Sequence, residues 1–254
     1  DLDNMSLRQL EHVKHEILNM TKKRQMNAQI AEAAIIEVTI DASAAPGERE
    51  LRLLTSKGLT NPMCFEVAQL PETKELEPND PDASFAKSKD EPFELPIVVN
   101  GQVMPGDVDR FRFKAREGQR LVVDAQARAL MPYLADAVPG WFQATLALYD
   151  EKGREVAYAD DYSFDPDPVL FYKIPKDGIY ALEVRDSVYR GREDFVYRIA
   201  VAVRPFVTTI FPLGAHEGTD AKAATAGWNI DGSPLALDTQ PGADCIRQTV
   251  LRLE

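Results

Sequence analysis

Gly106-Asp107-Val108-Asp109-Arg110-Phe111-Arg112-Phe113-Lys114 is the stretch on which the reading of the fold turns. Phe111 and Phe113 alternate with Arg110, Arg112 and Lys114, the two-residue period of a strand with one face against a core. Outward from it the pattern repeats. Ile97–Val103 reads as the preceding strand, and Leu121–Ala127 follows the Glu117-Gly118 turn. Residues 128–142 read as irregular. Ala144–Tyr149 and Arg154–Ala159 flank Asp150-Glu151-Lys152-Gly153, a hairpin turn. Tyr180, Leu182 and Val184 form a strand after Asp177-Gly178, and Tyr197, Ile199, Val201 and Val203 form the last. Even spacing, Gly and Asp at the turns and the lack of a helical run predict an antiparallel β-sandwich of jelly-roll type.

The flanks read differently. Leu10, Val13, Ile17 and Met20 recur at helical spacing, with Ser6 as N-cap and Lys22, Lys23 and Arg24 in the last turn, so one N-terminal helix is expected within 1–34. Its stripe suits packing on its own body or pairing with another chain. From 35 to 70 the period changes to two: Ile36, Val38 and Ile40, then Leu51 and Leu53, then Met63, Phe65 and Val67. Residues 71–96 are acidic and carry five prolines (Pro71, Pro78, Pro81, Pro92 and Pro96), the composition of a linker or wrapping segment. After Arg204-Pro205, Phe206–Phe211 and Ala221–Ala226 begin a further β unit, assigned to 205–254. The fold class is therefore mainly β, a sandwich between two smaller β segments.

Composition narrows the function. With 41 acidic against 29 basic residues the net charge is −12, which argues against a nucleic-acid partner and suits cation binding. No apolar run approaches the length of a membrane span. Cys64 and Cys245 lie in no metal-type spacing, and a disulfide or two free thiols both fit. No signal peptide is read, and the start at Asp1 fits a processed form or an excised piece. No Gly-x-Ser-x-Gly, His-Glu-x-x-His or phosphate loop occurs, and His12, His15 and His216 suggest no ligand set, so no enzyme is expected.

Residues 75–203 resemble a bacterial pre-peptidase C-terminal domain. The resemblance is carried in order by Glu75-Leu76-Glu77-Pro78-Asn79-Asp80, by Gly106 to Phe113, by Leu146 to Gly153, by Asp177 to Tyr180 and by Tyr197 to Val201, and a domain over 71–204 follows from it. Residues 35–70 resemble the second half of an Ig-like domain of the IPT/TIG kind, through Ala45 to Leu53 and Gly58 to Pro62. Residues 206–230 resemble the first half, through Ile210 to Gly214 and Gly227 to Ile230. The ends would then be cut through neighbouring domains of a tandem array, or the halves would complement each other; complementation requires a hydrogen-bonded ladder between them.

The resemblance implies a calcium site. Its expected ligands are Glu75, Glu77, Asn79, Asp80, Asp107 and Asp109, whose oxygens suit an ion that takes six to eight of them. A solvated acidic linker is the competing reading. Asp160, Asp161, Asp165 and Asp167 form a second acidic cluster, read as turn chemistry. The resemblance implies a non-catalytic, calcium-binding module of an exported multidomain protein (secreted, periplasmic or on the cell surface), used for adhesion, spacing or substrate attachment. Its partners would be other domains of the parent chain. The alternative is an accessory module of a secreted hydrolase that binds polysaccharide or protein through the loop aromatics Tyr133, Trp141 and Tyr162.

Overall fold

The structure is a computed structural model that describes Leu10 and residues 36–76, 91–130, 142–192, 194–232 and 234–241. Apart from Leu10, the expected N-terminal helix lies outside the described residues.

Eight strands form the central body: β6 (Ile97–Gln102), β7 (Asp109–Ala115), β8 (Arg120–Gln126), β9 (Ala144–Tyr149), β10 (Glu155–Ala159), β11 (Val169–Lys173), β12 (Gly178–Asp186) and β13 (Val196–Ala202). Their pairing is nested. β9 pairs with β10, β8 with β11, β7 with β12 and β6 with β13, all antiparallel. This is one long hairpin whose tip is the Asp150–Gly153 turn. Rolled up, it gives two sheets, in the orders β10-β9-β12-β7 and β11-β8-β13-β6. That is the jelly-roll arrangement expected from the strand spacing. β5 (Glu72–Lys74) adds to the second sheet by pairing parallel with β6.

Strand parity explains the layering. Asp109, Phe111, Phe113 and Ala115 of β7 are buried, whereas Arg110, Arg112 and Lys114 face outward. On β13 the inward stripe is Tyr197, Ile199 and Val201. The core between the sheets adds Leu121 and Val123 from β8, Leu146 and Leu148 from β9, Leu170 from β11 and Leu182 from β12. Burying such side chains stabilises by about 1.5–3 kcal/mol each and outweighs local propensity.

The flanking strands pair only within their own regions. β1 (Gly47–Leu51) pairs with β4 (Met63–Val67), and β2 (Leu54–Thr55) with β3 (Gly58–Leu59). β14 (Phe206–Phe211), β15 (Ala221–Trp228) and β16 (Leu235–Leu237) make one three-stranded sheet. Among the described residues no ladder joins the two ends, so complementation of the halves within one chain does not occur.

Two further expectations are corrected, and a choice between two readings is narrowed. Residues 36–40 form no strand, and Ile36, Val38 and Ile40 are 44–48% exposed; their alternation has no pairing partner among the described residues. Of the two readings of 71–96, the described residues fit a wrapping segment, because β5 lies in it and Phe93 bridges to Phe113 of β7. The stretch from Ala159 to Pro175, for which no strand is expected, contributes β11, whose Leu170 is buried in the core.

Candidate functional site: a carboxylate cluster on a buried tyrosine

Three separate segments bring acidic groups to one end of the sandwich. Glu75 follows β5 directly, and its N–H donates to the Asn100 carbonyl at 2.9 Å, which extends the β5–β6 pairing by one residue. Its Oε1 accepts the Gln102 N–H at 2.8 Å. Its Oε2 lies 2.9 Å from the hydroxyl of Tyr197 on β13. The same hydroxyl is 2.6 Å from Oδ2 of Asp109, the first residue of β7 in the opposite sheet. Asp109 is fully buried because it shares inward parity with Phe111 and Phe113. Asp107 occupies the turn before β7, where Gly106 takes a left-handed φ of 82° and the Asp107 carboxylate accepts from Met104 N at 3.0 Å and Val108 N at 3.1 Å.

Gly101 makes this convergence possible. It faces Tyr197 across the β6–β13 ladder. A Cβ there would collide with the tyrosine ring and hydroxyl and with Oε2 of Glu75. Glycine is thus required by close approach rather than by an unusual φ. Phe111 supports the ring edge-on at 6.4 Å.

Counting protons shows what the cluster needs. A phenol carries one hydrogen and donates one hydrogen bond. Tyr197 therefore cannot satisfy Glu75 and Asp109 at once. The second short oxygen–oxygen contact calls for a proton on one carboxyl or for a cation. Burial pushes the Glu75 carboxyl up to about 7, and the charge of Asp107 adds to this, while the bonds from Tyr197 and from Gln102 N–H pull the other way. Burial, with the charges of Asp109 and Glu75, raises the Tyr197 phenol well above its ordinary value. The phenol keeps its hydrogen at neutral pH, and Glu75 is the group poised between charged and neutral.

The expected calcium ligands divide accordingly. Glu75, Asp107 and Asp109 are gathered at this end, while Glu77, Asn79 and Asp80 lie outside the described residues. Among the described residues no group of three or more His, Cys, Asp or Glu side chains is close enough to hold a metal by itself. A closed oxygen shell would thus need ligands beyond Glu75, Asp107 and Asp109. The donors that are present are hard oxygens of the kind calcium takes. Tyr197 itself was named among the motif residues, but its place at the centre was missed. The available signal was a hydroxyl-bearing side chain in register with Ile199 and Val201, on the inward stripe.

Beside Glu75 a cleft of about 810 Å³ runs between β4, β5 and the β6–β13 ladder, lined in part by Phe65, Glu72, Asn100 and Arg198. Arg198 of β13 spans it, bonding Glu66 of β4 at 3.0 Å and Glu72 of β5 at 2.6 Å. β5 is thereby tied to the sandwich by an ion pair as well as by its ladder with β6.

The other named residues are placed elsewhere. Tyr162 stands edge-on to Phe171 at 6.1 Å and to Phe206 at 5.4 Å, so its ring is engaged within the protein. Tyr133 and Trp141 lie outside the described residues, as does Cys245; Cys64 is a half-buried free thiol. In the second acidic cluster Asp167 caps three amides, those of Ala127, Arg128 and Ala129, at 2.7–3.0 Å, and Asp165 accepts from Asp167 N at 3.0 Å. These two residues do turn chemistry.

Fold and site together define a jelly-roll β-sandwich with a buried carboxylate–tyrosine cluster at one end. No family model matches the chain. In an alignment 133 residues long that covers 47% of this chain, the chain is 32% identical to a probable subtilase-type serine protease of Deinococcus radiodurans. The match spans 17% of that protease. Among solved structures, the pre-peptidase C-terminal domain of a collagenase from Bacillus anthracis is similar over 53% of this chain and 98% of that domain, at 13% identity and a TM-score of 0.31. No helix among the described residues is long and apolar enough to cross a membrane.

Proposed function

We propose that this chain is a non-catalytic module of an exported, multidomain protein, and that its carboxylate cluster takes calcium as a structural ion. The observation that carries the reading is the meeting of Glu75, Asp109 and Tyr197, which leaves one positive charge, proton or metal, to be supplied. Glu75, Asp107 and Asp109 would hold the ion, with Glu77, Asn79 and Asp80 completing the shell. Bound there, calcium supplies charge neutralisation and no chemistry. It would fix the segment after β5 against β6, β7 and β13, so that whatever precedes the sandwich leaves it in a set direction.

Similarity to part of a subtilase-type protease supports a parent protein with a catalytic unit elsewhere, for which this chain serves spacing, adhesion or substrate attachment. A secreted, periplasmic or cell-surface setting suits such an ion site. Calorimetric titration of calcium into chelator-stripped protein tests the reading. Saturable binding that Glu75→Gln weakens at least tenfold is expected; wild-type protein that takes up no calcium would refute it.

A further inference from the structure

We infer that the sandwich and the β14–β16 sheet are locked into one rigid body by a joint built from Arg120, Tyr162, Phe171, Phe206, Trp228 and Asn229. Units joined in one chain move relative to each other unless their contact is apolar and well fixed. Here only Val203, Arg204 and Pro205 separate β13 from β14, and proline fixes its own φ within that short link.

The rings form a continuous edge-to-face and tilted cluster across the boundary. Phe206 of β14 meets Phe171 of β11 at 5.2 Å and Tyr162 at 5.4 Å. Phe171 meets Trp228 of β15 at 5.4 Å. The Arg120 guanidinium of β8 lies over the Trp228 ring, 4.3 Å from its centroid. These are the distances at which aromatic pairs and cation–ring contacts are attractive.

Polar groups fix the angle. Asn229, just after β15, takes a left-handed φ of 57°, which asparagine tolerates better than most residues. Its Nδ2 donates to the carbonyl of Arg120 at 2.8 Å and to that of Arg204 at 2.9 Å. One amide thus uses both hydrogens to tie the sandwich and the link to the three-stranded sheet. Arg204 pairs with Asp124 of β8. Gly227 lets β15 approach β14 here, since a Cβ would strike the Phe206 carbonyl. The joint draws on β8, β11, β14, β15 and the link, so no single rotation can open it without breaking several contacts. It lies outside the carboxylate cluster and does not depend on calcium.

Residual dipolar couplings of the full chain test this directly. In the wild type, amides of β6–β13 and of β14–β16 should fit one alignment tensor. Asn229→Gly keeps the left-handed backbone while removing both bonds. Combined with Trp228→Leu, it should split the data into two tensors. Two tensors in the wild type would overturn the inference, and so would a common tensor retained in the double variant. If the double variant loses the three-stranded sheet, Asn229→Gly alone decides it: a poorer common fit than in the wild type is expected, and a fit as good as the wild type's would overturn the inference.

Discussion

The Tyr197 hydroxyl reaches across the sandwich to within 2.6 Å of Asp109 Oδ2, joining the middle of one sheet to the start of a strand in the other. It is a polar link in a core otherwise made of Val, Leu, Ile, Phe and Ala, with Tyr180 as the other tyrosine. Tyr197→Phe keeps the ring and its packing on Phe111 while removing this donor from a fully buried carboxylate. A loss of about 1–3 kcal/mol is expected, the usual cost of withdrawing a hydrogen-bond partner from a buried group. Urea unfolding of the two proteins, compared by midpoint at equal slope, measures it.

Stability without calcium should depend on pH through Glu75. Its folded pKa, about 7, lies above the ordinary value of 4.5, so the unfolded state holds the proton less tightly. The contribution from the protonated carboxyl is complete below about pH 4.5, declines as pH rises through 7, and is absent above that. The decline is at most about 1.4 kcal/mol per pH unit. In chelator, Glu75→Gln should abolish this decline and should be the more stable protein at pH 8. A pH series of unfolding midpoints reads both effects.

Gly101→Ala should break the cluster without touching a charge. The new methyl would overlap Tyr197 and Oε2 of Glu75. Overpacking of this kind costs about 1–3 kcal/mol. The Glu75 side chain is the easier of the two to displace, so the variant should also lose most of its response to calcium. Thermal unfolding with and without the ion separates the two effects.

Asp167→Ala should release the single turn at Arg128–Leu130. Three amides would lose their acceptor, and a cost of about 0.5–2 kcal/mol is expected, as for loss of a helix cap. Calcium affinity should not change, because this cluster serves a turn. Chemical denaturation and a calcium titration on the same variant check the pair of outcomes.

Much of the sandwich was legible because strands such as β7 alternate in sequence and several turns carry Gly or Asp. Phe111 and Phe113 between arginines, and Tyr197, Ile199 and Val201 in step, state which face is inward. β11 was not legible, since Val-Leu-Phe-Tyr-Lys has no alternation and follows a proline-rich turn. β5 was hidden by its length of three residues and by acidic neighbours; it exists because β6 offers an edge and Arg198 binds Glu72. Ile36, Val38 and Ile40 show the converse, since alternation makes no strand where no partner among the described residues pairs with it. In the site, Asp109 could be placed inward by parity with Phe111. The part of Gly101 could not be read, because a close approach depends on which strands become neighbours.

Thermal unfolding of the whole chain in excess calcium and in chelator, beside Glu75→Gln, tests the central claim most directly. An ion that binds only the folded state, at a hundredfold over its dissociation constant, stabilises by about 2.7 kcal/mol. The account predicts a clear rise in the wild-type midpoint with calcium and little or none in the variant. Equal midpoints for the wild type in calcium and in chelator would contradict it, leaving Glu75, Asp109 and Tyr197 as a proton-sharing structural cluster.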